Sequence, residues 1–263
     1  MAIQIIVCVL AGLGAGLGTG FAGMSAAAVI GPMLIVFLDV PAYTAVGIAL
    51  ASDVLASGVS AIVYAKHKNV DLKNSWIMLV TILATTVAGC FVANFLAKWS
   101  NDVMGGVSIF ATLLLGLRFL LFPPQNSKET MLNVSKKDRV IRSILSGLVI
   151  GFICGFMGAG GGIMMLFLLT SALGYELKSA VGTSVFIMTF TALTGAVGHF
   201  AIDGAMPDWV LLVTCVVSTL AFAQLSSAVA NKIKTKYLNL IVGILLTLLS
   251  IAIIIVQYVV KNV

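Results

Sequence analysis

Apolar runs, each closed by a short polar break, follow one another along almost the whole chain, and this alternation leaves little choice of fold. They lie near 3–22, 25–38, 42–65, 75–98 and 102–122, then near 141–157, 162–173, 178–202, 208–230 and 237–260. A helix needs roughly 20 apolar residues to cross a ~30 Å hydrocarbon core, and most of these runs reach that length. Inside lipid the backbone must satisfy its own polar groups, which helices do within one segment. A water-facing surface is excluded by supply, since 9% of the residues are charged against about 25% in soluble domains. The expected fold is therefore an all-α polytopic membrane protein whose first partner is the lipid bilayer. The net charge of +6 does not point to nucleic acid, because basic residues collect in the cytoplasmic loops of membrane proteins. The start, Met1-Ala-Ile-Gln, lacks the basic region of a secretory leader, so the first apolar run is expected to be retained.

A polar stretch opening with Pro123-Pro124 and rich in Lys, Asn and Ser divides the chain into 1–122 and 141–263, with 123–140 as a linker. The halves align at one ungapped offset of 135 residues. Gly12, Gly16, Gly20, Gly23 and Gly47 fall on Gly147, Gly151, Gly155, Gly158 and Gly182. With the glycines shared evenly between halves, about one coincidence is expected by chance, so a duplication is indicated. Charge sets its sense. The loop after 42–65 holds Lys66, Lys68 and Lys73, whereas its counterpart holds Asp203 and Asp208; the next pair of loops reverses this, with Lys232, Lys234 and Lys236 in the second half. Basic loops face the cytoplasm, so equivalent loops lie on opposite sides and the repeats are inverted. Both termini are then outside a cell membrane and the linker is cytoplasmic. Each half must cross an odd number of times, as three transmembrane helices plus a broken or re-entrant pair, or as five crossings.

The breaks before 25–38 and 162–173 carry the expected site. They read Gly20-Phe-Ala-Gly-Met-Ser25 and Gly155-Phe-Met-Gly-Ala-Gly-Gly-Gly162. Irregular backbone at membrane depth must be buried in protein or line a cavity, and paired interruptions in inverted repeats point to a transport site. A helix starting after such a break offers free N–H groups and the positive end of its dipole, which suits an anion. Candidate substrate-binding residues are Gly23 and Ser25 in the first half and Gly158, Ala159, Gly160, Gly161 and Gly162 in the second. Gly12, Gly16 and Gly20, spaced by four, read instead as helix-packing positions.

At these residues the chain resembles the TauE/SafE family of membrane permeases, described as carriers of sulfite and organosulfur anions. The likeness rests on the break and short helix from Gly155 to Leu169, the run Ala180-Val181-Gly182-Thr183-Ser184, the loop Lys66-His-Lys-Asn-Val-Asp-Leu-Lys73 and the stretch His199-Phe-Ala-Ile-Asp-Gly-Ala-Met-Pro-Asp208. It spans nearly the whole chain. The first half departs from the pattern at Gly47-Ile-Ala and Ser25-Ala-Ala-Ala, which places more weight on the second-half residues. The resemblance implies a sulfur-containing anionic substrate; the residues alone say only an anion.

Asp53, near the centre of 42–65, is the one charged residue placed mid-segment. A carboxylate at that depth is a functional-site hypothesis by default, and proton coupling is its expected role; the alternative is a carboxyl that ties helices together. Its repeat partner is Met188. Thr183, Ser184 and Ser52 add hydroxyls to the candidate site, though such groups also satisfy backbone within membrane helices. Gln224 and Asn94 are expected to bond between helices. The four cysteines lie in apolar runs and show no CxxC or Cys/His spacing, so neither a metal nor a cofactor is expected. No HExxH, GxSxG or P-loop is present. The leading reading is a secondary transporter for a small anion working by alternating access, not an enzyme. An anion channel, a membrane-embedded enzyme and a scaffold or receptor subunit are the alternatives. An oligomer is compatible with the sequence.

Overall fold

The computed structural model describes residues 2–99, 136–157, 161–171, 173–203 and 207–234, with scattered positions between 237 and 251. The runs at 102–122 and most of 237–260, together with Gly158, Ala159 and Gly160, lie outside the described residues. Within them the regular structure is helical throughout: α1 (Ala2–Ala22), α2 (Ala27–Leu38), α3 (Ala42–Lys66), α4 (Leu72–Trp99), α5 (Lys136–Met157), α6 (Gly161–Ser171), α7 (Leu177–Asp203) and α8 (Trp209–Ala230).

These limits follow the apolar runs closely, with one instructive exception. α5 starts at Lys136 rather than 141, because hydropathy registers only its apolar part, Val140–Phe156, while Lys, Arg and Asp are accepted in an exposed first turn. Five described helices are long and apolar enough to span a membrane: α1, α3, α4, α7 and α8. α2 and α6, with 12 and 11 residues, reach about 18 and 17 Å at ~1.5 Å per residue, well short of the ~30 Å core.

Burial runs opposite to that of a soluble protein. Ile3, Val80, Phe91, Phe95, Val217 and Leu225 point outward, whereas Ser25, Asp53, Ser57, Ser60, Thr86, Ser184, Thr191, His199 and Thr219 are buried. In water an apolar belt of this extent drives association; in lipid it is the surface the solvent demands. The inner hydroxyls mostly donate to a carbonyl one turn back in their own helix, as Thr19 does to Ala15 (2.9 Å), Thr86 to Ile82 (2.8 Å) and Thr191 to Ile187 (2.9 Å), which removes the cost of burying them. Gln224, expected between helices, lies on an exposed face instead.

Small residues set the helix contacts. α1 packs on α8, α5 on α4, and α3 on α7. A methyl group on Gly12, Gly16 or Gly20 would overlap α8, and one on Gly147, Gly151 or Gly155 would overlap α4, so these glycines permit close helix crossing. Gly47 lies beside His199 and Phe200, and Gly182 beside Tyr64 and Asn69; α3 and α7 therefore run antiparallel. Local details recur at the 135-residue spacing. Asp39 and Gly174 both take left-handed backbone (φ 51° and 71°) after a short helix. The amides that follow donate to equivalent carbonyls, Val40 to Leu34 (3.2 Å) and Tyr175 to Leu169 (2.9 Å). Tyr64 Oη donates to the Gly20 carbonyl (3.1 Å), and His199 Nε2 bonds the Gly155 carbonyl (2.9 Å).

Candidate functional site

The first break is built by a glycine. Gly23 adopts φ +62°, a left-handed conformation that glycine takes without strain, and closes α1 with its N–H on the Thr19 carbonyl (2.9 Å) while Met24 N–H reaches Gly18 (3.2 Å). The reversal delivers Ser25 to the start of α2. Its Oγ accepts from the Ala27 amide (3.3 Å) and donates to Asp53 Oδ2 (2.7 Å). The Ala26 backbone N–H is directed at the same carboxyl group. Asp53 thus sits against the N-terminus of a 12-residue helix, where a negative charge is stabilised by the helix dipole.

Asp53 is fully buried, and its second oxygen, Oδ1, has no hydrogen-bond partner among the described residues. Ser60 Oγ is in the same position. With Ser57 and Tyr64 these residues form a stripe at i, i+4, i+7 and i+11, one face of α3, and all four are buried. Buried polar atoms normally find partners, so two orphans on one stripe mark where a ligand or water can be received.

The second break meets the first there. A Cβ on Gly162, in the first turn of α6, would overlap the Gly23 carbonyl, the Ser25 amide and the Met24 carbonyl carbon. From α7, Ser184 Oγ lies where a side chain on Gly23 would go, 2.5 Å from that Cβ position, and donates to Val181 O (2.8 Å). Gly23 and Ser25 of the first break are thereby brought together with Asp53 of α3, Gly162 of α6 and Ser184 of α7.

Other candidates are placed differently. Thr183 accepts from the Asp71 amide (3.0 Å) and so fixes the loop before α4. Consecutive residues on a helix point about 100° apart, so Thr183 and Ser184 serve different neighbours. Ser52 donates to its own Ile48 carbonyl (2.9 Å). Gly161 faces the Cys154 thiol, and a methyl group there would press on Sγ at 3.2 Å. Sequence reasoning passed over Ser57 and Ser60, although their heptad-like spacing from Asp53 was legible, and gave His199 no role beyond opening a family-like stretch, whereas it is buried.

A groove of about 760 Å³ opens between α3, α7 and α8 and is lined by Val54, Leu55, Leu193, Val197, Leu212 and Val216, among other apolar groups. It offers an anion no donor. Among the described residues no three His, Cys, Asp or Glu side chains come together to hold a metal ion, and the four cysteines are free and buried.

The comparisons with known proteins point to a membrane transporter. The chain is 26% identical over 265 residues to the probable membrane transporter protein YunE of Bacillus subtilis (strain 168), covering 94% of this chain and 96% of that protein. It is 23% identical over 217 residues to the probable membrane transporter protein YdhB of the same organism, covering 82% and 86%. The probable membrane transporter protein MJ0441 of Methanocaldococcus jannaschii is 27% identical over 156 residues, covering 59% of this chain and 55% of that protein. No solved structure gives a significant match. The family described as sulfite exporter TauE/SafE matches residues 8–253. The match covers nearly the whole of a helical protein with apolar outer faces and buried polar groups, and this chain belongs to the TauE/SafE family of membrane transporters.

Proposed function

We propose that the protein is a secondary carrier for a small anion, sulfite or another organosulfur anion, and that it works by alternating access between two inverted halves. One observation carries the reading: the two breaks touch, backbone to backbone, at Gly23–Ser25 and Gly162, beside a buried carboxyl group with an unpartnered oxygen. The halves are 1–122 and 141–263, joined by a cytoplasmic linker at 123–140, with both termini outside the cell membrane. The antiparallel pairing of α3 with α7 supports the inversion, as does the exchange of α1·α8 for α5·α4 when one half is superposed in sequence on the other.

The chemistry of Asp53 supplies a coupling rule. As a carboxylate it occupies the α2 N-terminus and engages the Ser25 hydroxyl. An anionic substrate needs the same donors. Two like charges cannot share them, so the anion enters when Asp53 takes up a proton, and each transport cycle carries a proton together with the anion. Gly160, Gly161 and Gly162 would let the anion approach the α6 amides from the opposite side, with Gly158 and Ala159 completing the second break. Ser184 beside Gly23 would turn its hydroxyl from the Val181 carbonyl to the anion, whereas Thr183 holds the Asp71 amide and Ser52 makes no hydrogen bond to the breaks among the described residues. Rocking one half against the other around this crossing would expose the site to either side.

Uptake and counterflow of labelled sulfite, thiosulfate and a sulfonate in proteoliposomes, with and without an imposed pH gradient, test the reading. Saturable counterflow of one anion, accelerated by an inward proton gradient, is expected. Flux that rises linearly with concentration and shows no counterflow identifies a channel instead.

A further inference from the structure

His199 lies on α7, outside the Ser25–Asp53 pair, and each of its ring nitrogens faces a backbone carbonyl oxygen. Nε2 bonds the Gly155 carbonyl (2.9 Å) and Nδ1 bonds the Tyr43 carbonyl (3.2 Å). A carbonyl oxygen accepts and never donates, and a neutral imidazole has one N–H. In either neutral tautomer one nitrogen lone pair therefore faces a carbonyl oxygen, and the two bonds exist together only when both nitrogens carry hydrogen. Two further features suit a cation. Gly155 is in the last turn of α5, where carbonyls lack helical partners and the dipole presents its negative end. The Tyr43 ring lies against the imidazole with centroids 4.1 Å apart and planes tilted by 31°, within the range of a cation–π contact. The ring is buried, 1% exposed.

We propose that His199 is a second proton-binding site, distinct from Asp53, and that its imidazolium fastens the entrance of the second break to α3. Gly155 opens that break. With the proton bound, the imidazolium bridges the end of α5 to the first turn of α3; without it, one of the two carbonyls loses its donor and the break is freed to shift. The first half has the same strap in a form with a single donor, since Tyr64 at the equivalent position donates its hydroxyl to Gly20. Proton binding therefore acts on one break and not on the other.

On α7 itself Asp203 stands one turn beyond His199 in sequence, and Lys178 is near the opposite end. On α3 the nearest is Tyr43, with Asp53 about 15 Å further along at ~1.5 Å per residue and Tyr64 and Lys66 beyond it. On α4 Cys90 is close, its sulfur facing Gly198, while Lys73 and Lys98 sit near the helix ends. On α5 Cys154 precedes Gly155, and Lys136, Lys137, Asp138, Arg139 and Arg142 occupy the far end. α6 has none, and α1 contributes only Cys8.

The chain has two histidines, so in the His67→Ala variant His199 gives the single imidazole signal. His67 is exposed and bonds only the Val63 carbonyl one turn back. Nitrogen NMR of the ¹⁵N-histidine-labelled protein in lipid, followed over about pH 5 to 8, reads the protonation of each ring nitrogen directly. The expected result is a ring protonated at both nitrogens at the acid end that passes to one neutral tautomer at the alkaline end. A ring that keeps one state throughout, charged or neutral, overturns the proposal. As a functional counterpart, His199→Gln keeps amide donors but cannot titrate. It should remove one inflection from the pH profile of anion counterflow while Asp53 keeps its own, and an unchanged profile contradicts the role.

Discussion

The inner faces of α3 and α7 hold equivalent places in the two halves and differ in chemistry. On α3 the buried stripe is Asp53, Ser57, Ser60 and Tyr64; at the same positions α7 has Met188, Ala192, Gly195 and His199. The backbone devices that place these helices are repeated: the close glycine crossings, the left-handed turns at Asp39 and Gly174, and the straps from Tyr64 to Gly20 and from His199 to Gly155. The polar groups of the α3 stripe are not repeated. A scaffold can be duplicated without penalty because each half uses it separately. A buried carboxylate cannot, since a second one across the α3–α7 contact would set two desolvated negative charges against each other. The correspondence between α3 and α7 preserves geometry while the chemistry differs.

The largest expected effect breaks the contact between the halves. Gly162→Leu drives a side chain into the Gly23 carbonyl and the Ser25 amide, and should abolish anion counterflow while membrane insertion is retained. Gly161→Ala, whose methyl would press on the Cys154 thiol and not on the backbone of the first break, should lose much less. Equal loss in both would mean that the break tolerates no added bulk anywhere and that the crossing at Gly162 has no special place.

A smaller effect follows from erasing the asymmetry at the first break. Ser25 stands where the second half has Gly160. Ser25→Gly removes the hydroxyl shared by Asp53 and the substrate, and a neutral hydrogen bond of up to about 1.5 kcal/mol corresponds to a rise of roughly tenfold in the half-saturation concentration. A titration of counterflow against anion concentration checks this, and an unchanged value separates Ser25 from the anion.

The smallest is a control on the second half. Thr183→Val should leave transport rates unchanged and lower thermal stability by about 1 kcal/mol, the worth of its bond to the Asp71 amide, as read by a melting curve in detergent. A transport defect larger than the stability loss would return Thr183 to the site.

How much of this was legible in the sequence follows from what each feature depends on. Helix limits were readable because charge and proline end an apolar run wherever lipid ends; the start of α5 escaped because its first turn is polar yet helical. Asp53 stood out as a lone charge in an apolar segment. Its pairing with Ser25 did not, because the two are joined only when α2 folds against α3, and no periodicity links residues on separate helices. Thr183 and Ser184 looked equivalent as neighbours in one run, and only the helical rotation between them assigns one to a loop and the other to Gly23. His199 needed its two carbonyl partners, Tyr43 and Gly155, which lie 156 and 44 residues away.

The central claim is that the proton on Asp53 decides whether an anion can occupy the crossing of the two breaks. Asp53→Asn tests it most directly, since the amide resembles a protonated carboxyl in size and neutrality. Counterflow and gradient-driven uptake of the transported anion, measured side by side in proteoliposomes, should show counterflow retained and the stimulation by a pH gradient gone. Stimulation equal to that of the unaltered protein would contradict the account and move the coupling away from Asp53.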